Sequence, residues 1–329
     1  MPTIIDVARE AGVSFKTVAR VLNGEPHVRD TTKTKVLEAA KALDYRVNPA
    51  ARALRSKTLN RMALLIDNPS VSYVEATQIG AMLSAQAMGF TLFVGRSLDD
   101  ILQFDDLRGV VLSPPLSNDT ALIEELEKLE IPFVRVGAEK TSEAGDRIGI
   151  DDRAAAKEMT NYLLGLGHKK IAFIKGDPIY DVSRRRFEGY RDAMADAKIS
   201  VEADWLITGD FSYESGLRCA EHLLALKNRP TAIFASNDEM ASAALATAYK
   251  LNIRVPSALS VVGFDDSPVS RAIYPKLTTV QQSTQDMVGQ AVQILAKRIS
   301  YSQGPLMSVI LEHRILQRES SAKPSTMEG

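Results

Sequence analysis

Between Arg61 and Phe264 the chain alternates short apolar runs with longer amphipathic stretches, and that alternation leaves few folds open. The runs are Met62–Ile66, Thr91–Val94, Gly109–Leu112, Pro132–Val136, Lys170–Ile174, Thr231–Ala235 and Ser260–Phe264. Each has the length of a strand and the composition of one buried on both faces. The stretches between them include Val74–Ala87, Thr120–Leu129, Ala154–Leu164, Arg184–Asp196, Tyr213–Ala225 and Glu239–Tyr249, with helical length and periodicity. Strand and helix in succession predict a parallel-sheet α/β body. Ligands of such sheets gather beyond the carboxyl ends of the strands. The polar residues there are Asp67 and Asn68, Asn237 and Asp238, and Asp265 and Asp266. Asn237, Asp238 and Asp266 read equally well as caps of the following helix.

The first sixty residues follow another pattern. They carry eleven Lys or Arg against six Asp or Glu, a balance of +5 in a chain whose formal charge is -1. A basic module on a mildly acidic body points to a polyanionic partner for the module alone. Thr3 is a good N-cap with an acid, Asp6, three residues on, so a helix is expected there with Val7 and Ala8 on its apolar side. Gly12 ends it in a tight turn. Ser14 then caps a second helix to about Leu22, with Val18, Val21 and Leu22 on one face and Phe15, Lys16, Ala19 and Arg20 nearer the other. A third helix, about Thr31 to Leu43, supplies Val36, Leu37, Ala40 and Leu43 to a small core. Two short helices about a glycine turn form the helix-turn-helix layout, whose second helix fits the major groove. Periodicity alone leaves a plain three-helix cap with solvated charges as an equal reading.

The string Thr3-Ile4 … Asp6-Val7-Ala8 … Ala11-Gly12-Val13-Ser14 … Thr17-Val18 … Arg20-Val21-Leu22-Asn23 continues through Tyr45, Asn48, Ala51-Arg52 and Leu54. It resembles the LacI/GalR family of repressors. The resemblance implies that Phe15, Lys16 and Arg20 read bases and that Thr17 and Asn23 touch phosphate. Thr3, Ser14, Asn48 and Arg52 complete the DNA-facing set it implies. Ala19 stands where the family usually has Ser, which removes one backbone contact. Asn48 can cap a helix, Pro49 suits its first position, and Ala50 to Leu54 are mostly good helix formers. So short a segment does not hold a helix in water, where about 12–15 residues are needed. In the family this hinge helix enters the minor groove, and the residue matching Leu54 wedges between base pairs. A buried linker leucine is the plainer role for Leu54, and Val47 replaces the usual Pro.

The body resembles the two-lobed periplasmic sugar-binding fold of the same family. The expected fold is an all-α helix-turn-helix domain at 1–46, a hinge helix and linker at 47–60, and an α/β periplasmic-binding-protein-like effector and dimerisation domain at 61–329. Lobe 1 would take about 61–150 with 281–307, and lobe 2 about 151–280 with 308–320. On matching positions Arg186 grips ligand hydroxyls, Phe211 stacks on a sugar face and Asp265 accepts from vicinal hydroxyls. Asp67, Asn68, Tyr73 and Asn237 join them in the expected effector set. A sugar's paired hydroxyls and faintly apolar face suit carboxylates, an arginine fork and an aromatic plate. Plainer roles stand beside these: Arg184-Arg185-Arg186 as a solvated run, Phe211 as core, Tyr73 and Trp205 as structural. One departure is that only Gly95 to Arg108 separates the second and third strands, too short for the family's full helix.

Enzymatic chemistry lacks an inventory. The four histidines, His27, His168, His222 and His313, lie in separate segments without metal-ligand spacing. There is no phosphate-loop motif and no Gly-x-Ser-x-Gly elbow, and no cofactor or metal is called for. No window approaches the roughly 20 apolar residues of a membrane span. Met1-Pro2-Thr3-Ile4 has no basic n-region, so no secretory signal is expected. The lone cysteine, Cys219, fits a reducing cytoplasm as a small buried helix residue. The resemblance thus implies a cytoplasmic homodimer on a near-palindromic double-stranded DNA operator, released by a sugar effector. A purine or other corepressing metabolite is the alternative effector, and a transporter's solute-binding protein the alternative class.

Overall fold

The computed structural model describes residues 3–22, 28–43, 60–104, 106–138, 144–301 and 304–324, in two compact units, Met1–Leu59 and Asn60–Gly329. In the first, α1 (Ile4–Glu10) opens with a capping box: the Thr3 hydroxyl accepts from the Asp6 amide, and the Asp6 carboxylate accepts from the Thr3 amide at 2.8 Å. The chain turns at Gly12, whose φ of +63° disfavours any side chain. Ser14 Oγ accepts from the Thr17 amide at 3.2 Å to open α2 (Phe15–Leu22), and α3 (Asp30–Ala42) closes the module. Val7, Val18 and Val36 are fully buried, with Ala8, Val21, Ala39 and Ala40 around them. Leu37, expected in this core, is 48% exposed. Val36, Ala39 and Ala40 occupy the i, i+3, i+4 stripe, so Leu37 falls beside it.

The second unit holds two sheets. β1 (Arg61–Leu65), β2 (Thr91–Gly95), β3 (Leu107–Leu112), β4 (Phe133–Val136), β5 (Asp146–Ile150) and β11 (Ser308–Leu311) form the first, all parallel, in the order β11-β5-β4-β3-β1-β2. β6 (Ile171–Lys175), β7 (Leu206–Thr208), β8 (Ala232–Ala235), β9 (Ser260–Asp265), β10 (Thr278–Gln281) and β12 (Arg314–Leu316) form the second, in the order β12-β10-β9-β8-β6-β7, with only β12 antiparallel. Helices α4 (Val71–Ala87), α6 (Thr120–Lys128) and α12 (Thr284–Ser300) cover the first sheet. Helices α7 (Asp152–Gly165), α8 (Asp181–Asp196), α9 (Tyr213–Ala225) and α10 (Asp238–Lys250) cover the second.

The apolar runs are unbroken because both faces of each strand are covered. Met62 and Leu64 of β1 pack under α4 and α12, while Ala63 and Leu65 pack on the opposite face with Ile123 and Leu126. The short Gly95–Arg108 segment holds a single helical turn, α5 (Asp99–Leu102), which buries Ile101. The chain leaves the second sheet after β10, forms α12 on the first, and returns between β11 and β12. The strand at 308–311, expected in the second lobe, therefore belongs to the first, where Ser308 to Leu311 pair with Arg147 to Ile150. Among the described residues no helix is long and apolar enough to cross a membrane.

Candidate functional site

On the first unit Phe15, Lys16 and Arg20 lie exposed on α2, opposite the buried Val18 and Val21. An aromatic ring, an ammonium and a guanidinium on one helix face are the chemistry that meets base edges and phosphates. The hydroxyls of Ser14 and Thr17 bond each other at 2.9 Å, and that of Thr3 donates to Asp6 at 2.7 Å. Thr3 and Ser14 cap the starts of α1 and α2. Asn23, Asn48, Arg52 and Leu54, and with them the hinge, lie outside the described residues.

In each sheet of the second unit the first strand lies between the second and the third, β2-β1-β3 and β7-β6-β8, so the winding reverses there. Such switch points open crevices at the strands' carboxyl ends. One cleft takes its walls from those ends in both sheets, and six of the seven expected effector residues line it: Asn68, Tyr73, Arg186, Phe211, Asn237 and Asp265. Its free volume is about 40 Å³, room for about three waters.

Arg186 belongs to the cleft rather than to a solvated run, being 4% exposed. Its Nε donates to Asp152 Oδ1 at 2.8 Å and its Nη1 to the Ser236 carbonyl at 2.6 Å, while the guanidinium lies 3.6 Å from the centre of the Phe264 ring. Asp265 Oδ1 stands 3.7 Å from Nη1. No described residue takes a hydrogen bond from Nη2, which leaves that donor for a ligand. Asp265 ends β9 at a φ of +115°, where its Oδ1 also accepts from Gln282 Nε2 at 2.5 Å. Burial pushes its carboxyl well above the ordinary carboxylate range, against the lowering pull of Arg186.

Phe211 sits in the left-handed region at φ +71°, edge-on to Tyr180 at 5.3 Å. Asn237 holds it there: its Nδ2 donates to the Phe211 carbonyl at 2.9 Å, and its Oδ1 caps α10 by accepting the Met240 amide at 3.0 Å. Asn237 is thus a helix cap that also positions the aromatic plate. Tyr73 accepts from Ser113 Oγ at 3.4 Å, and burial pushes its hydroxyl up to about 12, so it stays protonated and able to donate.

Asp67 is the exception. Its carboxylate turns to Arg96, at 2.6 and 3.1 Å, in a separate exposed hollow, and only its carbonyl reaches the cleft rim, accepting from Tyr180 Oη at 3.2 Å. Neighbouring side chains at an extended strand exit point to opposite sides, so Asn68 takes the cleft and Asp67 the outer face. Asp238 and Asp266 work behind the site. Asp238 accepts from the Ser267 amide at 2.7 Å and from Thr279 Oγ1 at 2.5 Å; Asp266 accepts from Gln281 at 2.9 Å and from Arg318. They fasten the turn that carries Asp265. Trp205 is structural, its Nε1 donating to the Asn228 carbonyl at 2.9 Å, and Cys219 is buried on α9. Sequence reasoning missed Tyr180, Gln282 and Asp152. The first two arrive from loop and crossover, and Asp152 is hidden beside the capping Asp151. Among the described residues no group of three His, Cys, Asp or Glu is placed to hold a metal ion.

Residues 3–48 match the model of bacterial regulatory proteins, lacI family, and residues 160–321 match that of the periplasmic binding protein-like domain. The probable HTH-type transcriptional repressor ExuR of Bacillus subtilis (strain 168) is 31% identical, over 99% of this chain and 100% of its own length. The chain belongs to the lacI family of bacterial regulatory proteins. It is a DNA-binding transcriptional regulator with an effector-binding domain, and not an enzyme. Among solved structures, the transcriptional regulator CelR–cellobiose complex superposes with a TM-score of 0.73 at 29% identity, covering 98% of this chain and 100% of that one. The lac repressor dimer bound to operator and the anti-inducer ONPF superposes at 0.78 with 25% identity, covering 98% and 99%. The basic head and the α/β body thus match together along one chain, which excludes the plain solute-binding protein.

Proposed function

We propose that this regulator is a homodimeric repressor of carbohydrate-utilisation genes, released from its operator by an uncharged sugar held between the lobes. The observation that carries the effector class is the buried Arg186 fork, with its unclaimed Nη2, beside the Asp265 carboxyl and the Phe211 ring. An arginine fork, a carboxylate and an aromatic face are complementary to vicinal hydroxyls. The absence of charge follows from pairing. Among the described residues that line the cleft Arg186 is the only cation, and Asp152 already pairs with it. A uronate or phosphate would enter without a free counterion, at a desolvation cost. A structural relative with cellobiose bound supports the same class.

On DNA, Phe15, Lys16 and Arg20 read base edges, Thr17 and Asn23 touch phosphate, and Asn48 to Leu54 form a hinge helix whose Leu54 wedges into the minor groove. The operator is near-palindromic because a two-fold dimer presents two heads. The site of action is the cytoplasm, where such DNA lies. Switching between 99:1 and 1:99 occupancy requires the sugar to prefer the released state by about 10⁴-fold, or about 5.5 kcal/mol. The effector reading is tested by thermal shift of the purified chain against neutral sugars, uronates and purine bases, where a ligand at 100 times Kd adds about 2.7 kcal/mol. A neutral-sugar shift lost in Arg186→Ala and Asp265→Ala is expected. A response to purines alone would overturn the effector class.

A further inference from the structure

We propose that Arg185 is a positioning residue that couples closure of the two lobes to the effector contact at Arg186, through the Asp152 carboxylate that both guanidinium groups face. The inference rests on the cleft being the effector site. Arg185 lies on α8 over the second sheet, yet its Nη2 donates at 2.6 Å to the carbonyl of Gly137, which follows β4 of the first. That is a charge-assisted bond across the cleft, the stronger class of hydrogen bond. Its acceptor is well fixed, since the Gly137 amide itself donates to the Ile148 carbonyl at 2.8 Å.

Asp152, in the first turn of α7, is 2% exposed and has a guanidinium on each oxygen. Oδ1 takes Arg186 Nε at 2.8 Å, and Oδ2 stands 3.2 Å from Arg185 Nη2, the same nitrogen that reaches Gly137. Arg185 Nε is buried without a hydrogen-bond partner, and its hold on its own helix is an ion pair, 3.3 Å from Asp181 Oδ2. Nη2 carries two N–H groups and faces both acceptors at once, Asp152 on its own lobe and, more closely, Gly137 on the other. While Arg186 engages Asp152, Arg185 serves Gly137. A loosened Arg186 leaves Asp152 to draw Arg185 back, and the cross-lobe bond weakens. A ligand oxygen on Arg186 Nη2 acts on this balance. Among the described residues, Tyr180 Oη to the Asp67 carbonyl at 3.2 Å and the Ser72 amide to Glu239 Oε1 at 2.9 Å also cross the cleft. Neither touches Asp152, so they serve as controls.

Pulsed electron–electron distance measurements on the full chain test this, with spin labels at Glu124→Cys and Lys227→Cys, exposed positions on opposite lobes. Arg185→Met is expected to raise the open-to-closed ratio about tenfold. Arg186→Lys should open the lobes too, but add nothing in the Arg185→Met background, because both act on one bond. Arg186→Lys with Tyr180→Phe should instead be additive. If Arg185→Met unfolds the chain, Arg185→Lys replaces it with the same expected direction. An unchanged distance distribution in the folded Arg185 variant removes the latch, and additivity of the Arg185 and Arg186 variants removes the coupling. No sugar enters the measurement. A failed sugar screen beside intact coupling would therefore count against the effector class alone.

Discussion

Gly176 follows β6 directly beneath the Phe211 ring, and replacing it with alanine isolates what that ring does. A Cβ built at Gly176 falls 2.1 Å from Phe211 Cζ and 2.5 and 2.6 Å from its Cε atoms, where ordinary contact begins at 3.4 Å. The ring must retreat by about 1.3 Å, the difference between 2.1 and 3.4 Å. It has little room, because its backbone is held at φ +71°, its carbonyl is bonded to Asn237 and Tyr180 abuts its edge. Overpacking of this kind costs about 1–3 kcal/mol, offset by about 0.4–1 kcal/mol from the stiffer unfolded chain. A net loss of about 1–2 kcal/mol corresponds to roughly 2–8 °C in Tm at this size. Displacing the plate should also weaken sugar binding about tenfold, the order of an aromatic stacking contact. Calorimetric melting and titration with a bound sugar read both effects. Phe211→Ala removes the clash, so Gly176→Ala should cost nothing further in that background. An equal Tm loss in both backgrounds would refute the reasoning, as would unchanged sugar affinity in Gly176→Ala alone.

Thr3→Ala deletes one half of the capping box on α1 and should cost about 1 kcal/mol, read as roughly fivefold faster amide exchange in α1; unchanged exchange would mean the cap holds nothing. His168 is buried among Thr231, Ser260 and the Ala322 carbonyl, and burial holds its pKa below the usual 6.5. A histidine whose folded pKa is depressed is stabilising when neutral and loses that contribution as pH falls through 6.5 towards the folded value. The Tm advantage of the wild-type chain over His168→Gln should therefore shrink between pH 7 and pH 5, and a constant gap would exclude this titration.

Much of the body was legible because parallel strands covered on both faces read as unbroken apolar runs. β5 is interior yet begins with Asp146 and Arg147, β7 has three residues, and β11 and β12 are edge strands, so none of them reads as an unbroken apolar run. The boundary near 308 went astray for the same reason: nothing in Ser-Val-Ile-Leu says which sheet it joins. In the head, the cap and glycine signals at Thr3, Gly12 and Ser14 marked the helix starts, whereas Leu37 was misplaced by one step of helical phase. Asn68, Asn237 and Asp265 were legible at strand ends, where topology converges, whereas Arg186, within α8, and Phe211 came only with the family resemblance. The choice between Asp67 and Asn68, by contrast, depends on side-chain direction at one strand exit. Asp152 stayed hidden because its partner, Arg186, is 34 residues away in sequence.

The central claim is that a carbohydrate in the cleft governs DNA occupancy, and fluorescence anisotropy of the full chain on a duplex it selects from a random library tests it most directly. The selected sequence should be near-palindromic. A neutral sugar should weaken its binding at least tenfold, and Asp265→Ala should stay bound at the same sugar concentration. A duplex whose affinity ignores every neutral sugar while a purine alters it would contradict the claim, as would an Asp265→Ala variant released like the wild type.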